Sequence, residues 1–125
     1  MRYLIDTHVL LWAIYDSKQL SGQAKEILSN ERCAISMASL WEISIKISIG
    51  KLKIKQSIQD LAGFCSQYGI DIIDITPACC DTMINLPFIH NDPFDRIIIA
   101  TAKVNEYVIL TKDGMMSKYD VKTVW

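Results

Sequence analysis

The sequence predicts an α/β fold in which a mainly parallel sheet carries helices on both faces. Three observations lead there. Short apolar runs at 2–5, 33–36, 70–75, 107–111 and 121–125 suit buried strands and are too short for helices. The segments between them space their apolar residues helically, and strands that alternate with helices imply a parallel sheet covered on both sides. The composition supplies the core: 50% hydrophobic and 22% charged residues in a 125-residue chain with 5 Gly and 3 Pro. That is the size of one domain, residues 1–125, folding without disulfides or a structural metal. No linker, internal repeat or low-complexity tract divides it.

The elements follow in order. Arg2 to Ile5 reads as a strand, and Thr7 to Tyr15 continues as a helix with Val9, Leu10, Trp12 and Ala13 at helical spacing. A second helix runs from Ser21, its cap, to Asn30 with Ala24, Ile27 and Leu28 on a narrow apolar stripe. After the strand Cys33–Ser36, residues 43–55 fit two patterns equally. Ile43, Ile45, Ile47 and Ile49 alternate with polar residues and, with Leu52 and Ile54, resemble a β-hairpin. A helix instead places Leu40, Ile43 and Ile47 on one face, pairs Glu42 with Lys46, and stops at Gly50. Ser57 to Tyr68 is an amphipathic helix ending at Gly69, and Ile70 to Ile75 a third strand. Thr76 and Pro77 open a helix towards Asn85. Asp92 and Pro93 open another, with Asp95 in its first turn and Ile97, Ile98, Ile99 and Ala100 buried. Tyr107 to Thr111 and Val121 to Trp125 supply the last two strands.

Composition also excludes several function classes. The net charge of -1 argues against a broad basic surface, so any nucleic-acid contact is expected to rest on local positive charge. The apolar stretch from Leu4 to Tyr15 is broken by Asp6 and His8 and lacks the parts of a signal peptide. No run reaches the roughly 20 apolar residues of a membrane span, and a cytosolic location is expected. Cys33, Cys65, Cys79 and Cys80 have neither C-x-x-C spacing nor a nearby His pair. Free buried thiols are therefore expected, not a zinc or redox site.

The chemistry lies in the acids. Ligands of open parallel sheets bind at the carboxyl ends of the strands, where strand order reverses. Asp6 and Asp113 directly follow strands, while Glu42 and Asp95 stand near helix starts after loops returning to that edge. Four carboxylates are thus expected to converge in one cleft. Such crowding persists when a divalent cation offsets the charge. Oxygen donors without His or Cys favour Mg²⁺ or Mn²⁺ over zinc. A site of this kind can activate water and stabilise charge on a phosphoryl group, the requirements of phosphodiester hydrolysis. Each acid also has a plain role: Asp92 as a helix cap, Asp95 on the helix dipole, Glu42 paired with Lys46, Asp113 in a turn before Gly114. Asp6 is the exception, because an acid within a buried apolar run costs stability unless it is paired or bound.

Four stretches together resemble the PIN-domain ribonucleases, and more narrowly the VapC-type toxins of type II toxin-antitoxin pairs. They are Tyr3–His8 with Leu11-Trp12, Ser39–Ile43 with Lys46 and Gly50–Leu52, His90–Arg96 with Ile99-Ala100 and Ala102, and Leu110–Asp113. They run in family order over nearly the whole chain. The resemblance implies a three-layer α/β/α sandwich and a Mg²⁺- or Mn²⁺-dependent endoribonuclease with Asp6, Glu42, Asp95 and Asp113 as catalytic, metal-binding quartet. It places Leu40-Trp41-Glu42 on a helix and gives Asp92 a structural or supporting role. It also implies three partners: RNA as substrate, an inhibitory antitoxin, and a second copy of the chain in a homodimer. Gly114, where a charged residue is more usual in the family, is a departure.

Around the quartet, Lys46, Lys51, Lys53 and Lys55 form a basic run, and Arg96 adjoins Asp95; these are candidate phosphate contacts. Thr7, Ser36 and Thr111 are candidate donors to a bound water or phosphate. His8 is expected to pack or support. A haloacid-dehalogenase-type phosphatase needs a second Asp where this chain has His8. A receiver domain would use Asp74, which falls inside a predicted strand and lacks the early acid pair. A PIN-like module that binds without catalysis is the remaining alternative.

Overall fold

The computed structural model describes residues 2–125. Strands β1 (Arg2–Ile5), β2 (Arg32–Ser36), β3 (Ile70–Ile73), β4 (Val108–Leu110) and β5 (Thr123–Val124) form one sheet in the order β3-β2-β1-β4-β5. Every pairing in it is parallel. From β1 the chain steps outwards through β2 to β3, then crosses back to lay β4 against β1's other edge. The order therefore reverses between β1 and β4, and the crevice beyond their carboxyl ends is where this topology admits a ligand.

Helices α1 (Thr7–Tyr15), α2 (Gly22–Asn30), α3 (Met37–Ser48) and α4 (Ile58–Gln67) precede β3, and α5 (Pro77–Ile84) and α6 (Pro93–Asn105) follow it. Register assigns them to layers. Leu4 stands beside Ala34 and Ile109, and Ile5 beside Ile35 and Leu110. Successive strand residues face opposite sides, so the first set meets Cys79 of α5 and Ile98 and Ile99 of α6. The second set meets Val9, Leu10, Ala24, Ile27, Leu40, Ile43 and Leu61 of α1 to α4. Two cores on one sheet make the expected three-layer α/β/α sandwich.

The helices begin where local chemistry dictates. Ser21 accepts from the Ala24 N–H, Thr76 from Cys79, and Asp92 from both Phe94 and Asp95. Ser57 and Asp60 form a reciprocal capping box. The two-way pattern at 43–55 resolves as the helix. Gly50 has φ +75°, and the N–H groups of Gly50 and Lys51 donate to the carbonyls of Ile47 and Lys46, a left-handed stop that glycine reaches without strain. The serines that mimic a strand's polar face bond backward instead: Ser44 to the Trp41 carbonyl and Ser48 to that of Ile45, each at 2.7 Å. Residues 52–54 form no strand.

Three smaller expectations change. β3 ends at Ile73, which puts Asp74 just past an exposed edge strand, two strands from the reversal. β5 is confined to Thr123–Val124 rather than 121–125. All four cysteines are free, yet only Cys33, Cys65 and Cys79 are buried; Cys80 is exposed because it lies on the outer side of α5.

Candidate metal centre

Asp6 is the first residue beyond β1, where the chain turns into α1. Its Oδ1 caps that helix by accepting from the Val9 N–H at 3.1 Å, and its backbone N–H donates to the Leu110 carbonyl of β4 at 3.2 Å. Its Oδ2 accepts a short hydrogen bond from the Thr111 hydroxyl. Thr111 in turn accepts from the Asp113 N–H at 3.0 Å, so one hydroxyl joins the ends of β1 and β4. Burial raises the Asp6 carboxyl above its ordinary value. The Thr111 hydroxyl, the Val9 N–H and His8 oppose that rise.

Glu42 arrives on the first half of α3 and is 5% exposed. Its Oε1 accepts from the Thr7 hydroxyl at 2.7 Å, and its Oε2 lies 3.1 Å from Lys46 Nζ one turn on. The single Thr7 hydrogen is thus committed to the carboxylate, so Ser39, 2.9 Å away, donates to Thr7. Each carboxylate is held by a hydroxyl from the turn after a strand.

Asp95 lies in the first turn of α6. Burial first, then the charges of Asp92, Asp6, Glu42 and Asp113, push its carboxyl up to about 7. Four acids from four parts of the chain therefore act on one group. Asp113 orients itself through the Met115 N–H, which donates to its Oδ1 at 2.8 Å. Donor atoms of Asp95, Asp113 and His90 lie within 4.8 Å of one another, with Asp6 and Glu42 outside that tighter set.

His90 opens the third stretch of the family resemblance but is not among the expected site residues. It stands in the loop before α6, its Nε2 3.6 Å from Asp95 Oδ2. No local pattern marks it, because its other contact, Tyr119, is 29 residues away. Ser39 likewise gains its role from a residue 32 positions away, Thr7. Among the expected supporting residues, Thr7 and Thr111 touch the carboxylates directly. Ser36 does not: its hydroxyl accepts from the Ala38 N–H and caps α3. Asp92 is likewise the cap of α6. His8 is exposed and packs against Trp12 with ring centroids 5.6 Å apart.

Arg96 departs most from expectation. It is 5% exposed, and its guanidinium reaches no phosphate-binding position. Nη1 donates to the Pro87 carbonyl and the Tyr119 hydroxyl, and Nη2 to the carbonyls of Met83 and Leu86. Phe88 lies over its face at 4.3 Å. The side chain ties the loop 85–92 to α5 and α6.

Beside the carboxylates runs a groove of about 730 Å³, lined by Trp12, Tyr15, Lys46, Lys51, Lys53 and Lys55 among others. Lys46 belongs to both the groove and the Glu42 pair. Lys112 Nζ sits 5.9 Å from the centre of the Trp12 ring. Positive charge and aromatic side chains thus border the acidic crevice.

The sequence model of the PIN domain family matches residues 3–122. The chain belongs to the PIN domain family. Ribonuclease VapC22 of Mycobacterium tuberculosis is 25% identical to this PIN domain over 118 residues, 93% of this chain and 90% of that protein. Among solved structures, VapBC2 from Rickettsia felis bound to a DNA fragment from their promoter aligns with a TM-score of 0.75 at 20% identity, over 99% of this chain and 98% of the matched chain. VapBC-1 from nontypeable Haemophilus influenzae aligns with a TM-score of 0.71 at 17% identity, over 99% and 97%. FitAcB from Neisseria gonorrhoeae gives 0.68 at 17% identity, over 98% and 96%. These likenesses establish the PIN fold along the chain. Among the described residues no helix is long and apolar enough to cross a membrane.

Proposed function

We propose that this PIN domain is a divalent-cation-dependent endoribonuclease and the toxin of a toxin-antitoxin pair. The observation that carries the reading is that Asp6, Glu42 and Asp113, from three separate parts of the chain, all act electrostatically on Asp95 beside the point where strand order reverses. The donor set fits a hard divalent cation: burial, and then the neighbouring carboxylates, push Asp95 up to about 7, and a bound cation would offset both. Mg²⁺ or Mn²⁺ would be held by these four acids. When bound, such an ion lowers the pKa of a coordinated water and offsets charge on the phosphoryl oxygens.

The chain's own side chains supply the rest. Thr111 and Thr7 hold Asp6 and Glu42 so that each keeps lone pairs for a ligand. Lys46 balances Glu42 in the free protein and faces the groove through which a phosphodiester chain approaches. Lys51, Lys53 and Lys55 follow the phosphates of that chain. An antitoxin partner, a homodimer and a cytoplasmic location complete the reading; the likeness to ribonuclease VapC22 and to the VapBC structures supports the first of them. Met37 and Trp41, 45% and 59% exposed on α3, offer apolar surface for protein contacts.

Purified protein is expected to cleave a quenched fluorescent RNA with Mg²⁺ or Mn²⁺ and to stop with chelator. Asp6→Asn should lower the rate on the order of 100-fold or more while leaving the fold intact. Equal cleavage by both proteins, or cleavage in excess chelator, would defeat the proposal. Thr111→Val keeps the side-chain volume and removes the bridge between Asp6 and the Asp113 backbone. Its Mn²⁺ affinity by titration calorimetry should fall about 10–100-fold; an unchanged affinity would show that the bridge does not position a ligand.

A further inference from the structure

His90 has two neighbours and only one of its ring nitrogens is satisfied. Nδ1 lies 3.1 Å from the Tyr119 hydroxyl, while Nε2 is buried without a hydrogen-bond partner, 3.6 Å from Asp95 Oδ2. Its distance to Asp95 and Asp113 invites a reading as a cation ligand. The hydrogens decide otherwise.

The Tyr119 oxygen accepts from Arg96 Nη1 at 3.3 Å and from the His90 backbone N–H at 3.2 Å. A phenolic oxygen has two acceptor positions, so both are filled. Its own hydrogen must go to His90 Nδ1 at 3.1 Å or to the His90 carbonyl at the longer 3.4 Å. A hydrogen on Nδ1 would then face an oxygen that has no room to accept it, inside a site too buried to leave it unpaired. Nδ1 is therefore the acceptor, and a neutral imidazole that accepts at Nδ1 carries its hydrogen on Nε2. Arg96 cannot relax the arrangement. Its four terminal N–H groups are divided among Pro87, Tyr119, Met83 and Leu86.

We infer that Arg96, Tyr119 and His90 form a relay that fixes His90 as an Nε2–H donor to Asp95, making His90 a positioning residue and not a cation ligand. The inference rests on Asp95 being a ligand. A sub-ångström shift of Asp95 closes the 3.6 Å gap to a hydrogen bond. One carboxylate oxygen is then held by His90 and the other left for the cation, in the way outer hydrogen bonds orient ligating groups. The cation's donors remain oxygens only, consistent with Mg²⁺ or Mn²⁺.

Two measurements test this. Long-range ¹H–¹⁵N NMR of the metal-free wild type should show the His90 ring protonated at Nε2 alone, and Tyr119→Phe should release it into a mixture of tautomers. An Nδ1–H ring in the wild type would overturn the relay. With Mn²⁺ as probe, pulsed EPR should show no directly bound ¹⁴N, His90→Ala should weaken Mn²⁺ binding about 10–100-fold, and His90→Gln, which carries an amide N–H near the Nε2 position, should recover most of it. A bound ¹⁴N lost in His90→Gln would make His90 a ligand and overturn the inference. A wild type that binds no Mn²⁺ would overturn the cation reading of the site, with the NMR result still deciding the tautomer.

Discussion

Metal-free protein carrying Asp95→Asn should melt above the wild type at pH 8 and level with it near about pH 4. The folded-state value of Asp95, about 7, lies above the ordinary 3.8. The native state therefore holds this proton more tightly than the unfolded chain, and the stability it contributes is present below about pH 4 and lost as pH rises through about 7. At pH 8 the wild type keeps an ionised, half-buried carboxylate among Asp92, Asp6, Glu42 and Asp113. The amide removes one of those charges. Solvent screens the group in part, so the gap expected is on the order of 5 °C, read by calorimetry in chelator. Saturating Mn²⁺ should stabilise the wild type and leave the variant nearly unmoved. The same variant should cleave RNA on the order of 100-fold more slowly. A melting gap independent of pH would mean that the folded protein does not raise the Asp95 carboxyl.

The second large effect is structural. Arg96→Met should cost about 3–5 kcal/mol of stability, because the carbonyls of Met83, Leu86 and Pro87 lose their shared donor in a buried setting. Arg96→Lys should recover little, since one ammonium cannot span acceptors set out for a planar fork. Lys46→Ala, which removes a partly exposed ammonium and leaves Glu42 its bond from Thr7, should cost less than Arg96→Met. Urea midpoints at constant m-value measure all three. An Arg96→Met protein as stable as Lys46→Ala would remove the guanidinium from its place as the tie of the loop.

These two residues also show where sequence reading reached and where it stopped. Asp92, Ser57 and Thr76 announce helix starts because a cap acts within three residues, and the acids after β1 and β4 are visible because strand ends are local. Arg96 misleads for a geometric reason. Adjacent helical residues point about 100° apart, so standing next to Asp95 in the chain sends Arg96 away from the crevice. Residues 43–49 were ambiguous because alternating Ile and Ser fits a pleat as well as a helix whose serines bond to their own backbone. Family resemblance, not periodicity, identified the helix. Ser39 and His90 open stretches of the family resemblance, yet nothing local assigns them a role, and Tyr119 carries no signal, since each acquires its partner only through the folded arrangement of distant segments.

Asp6 holds two posts with one carboxylate: it begins α1 through the Val9 N–H and faces the crevice through the oxygen that meets Thr111. Asparagine can fill the first post and not the second, whereas alanine vacates both. Selection to keep the helix start therefore preserves a polar residue here even in a lineage that has abandoned catalysis. An acid at this position in a relative is accordingly a poor witness to activity, and Glu42 and Asp95, which cap no helix, are better ones.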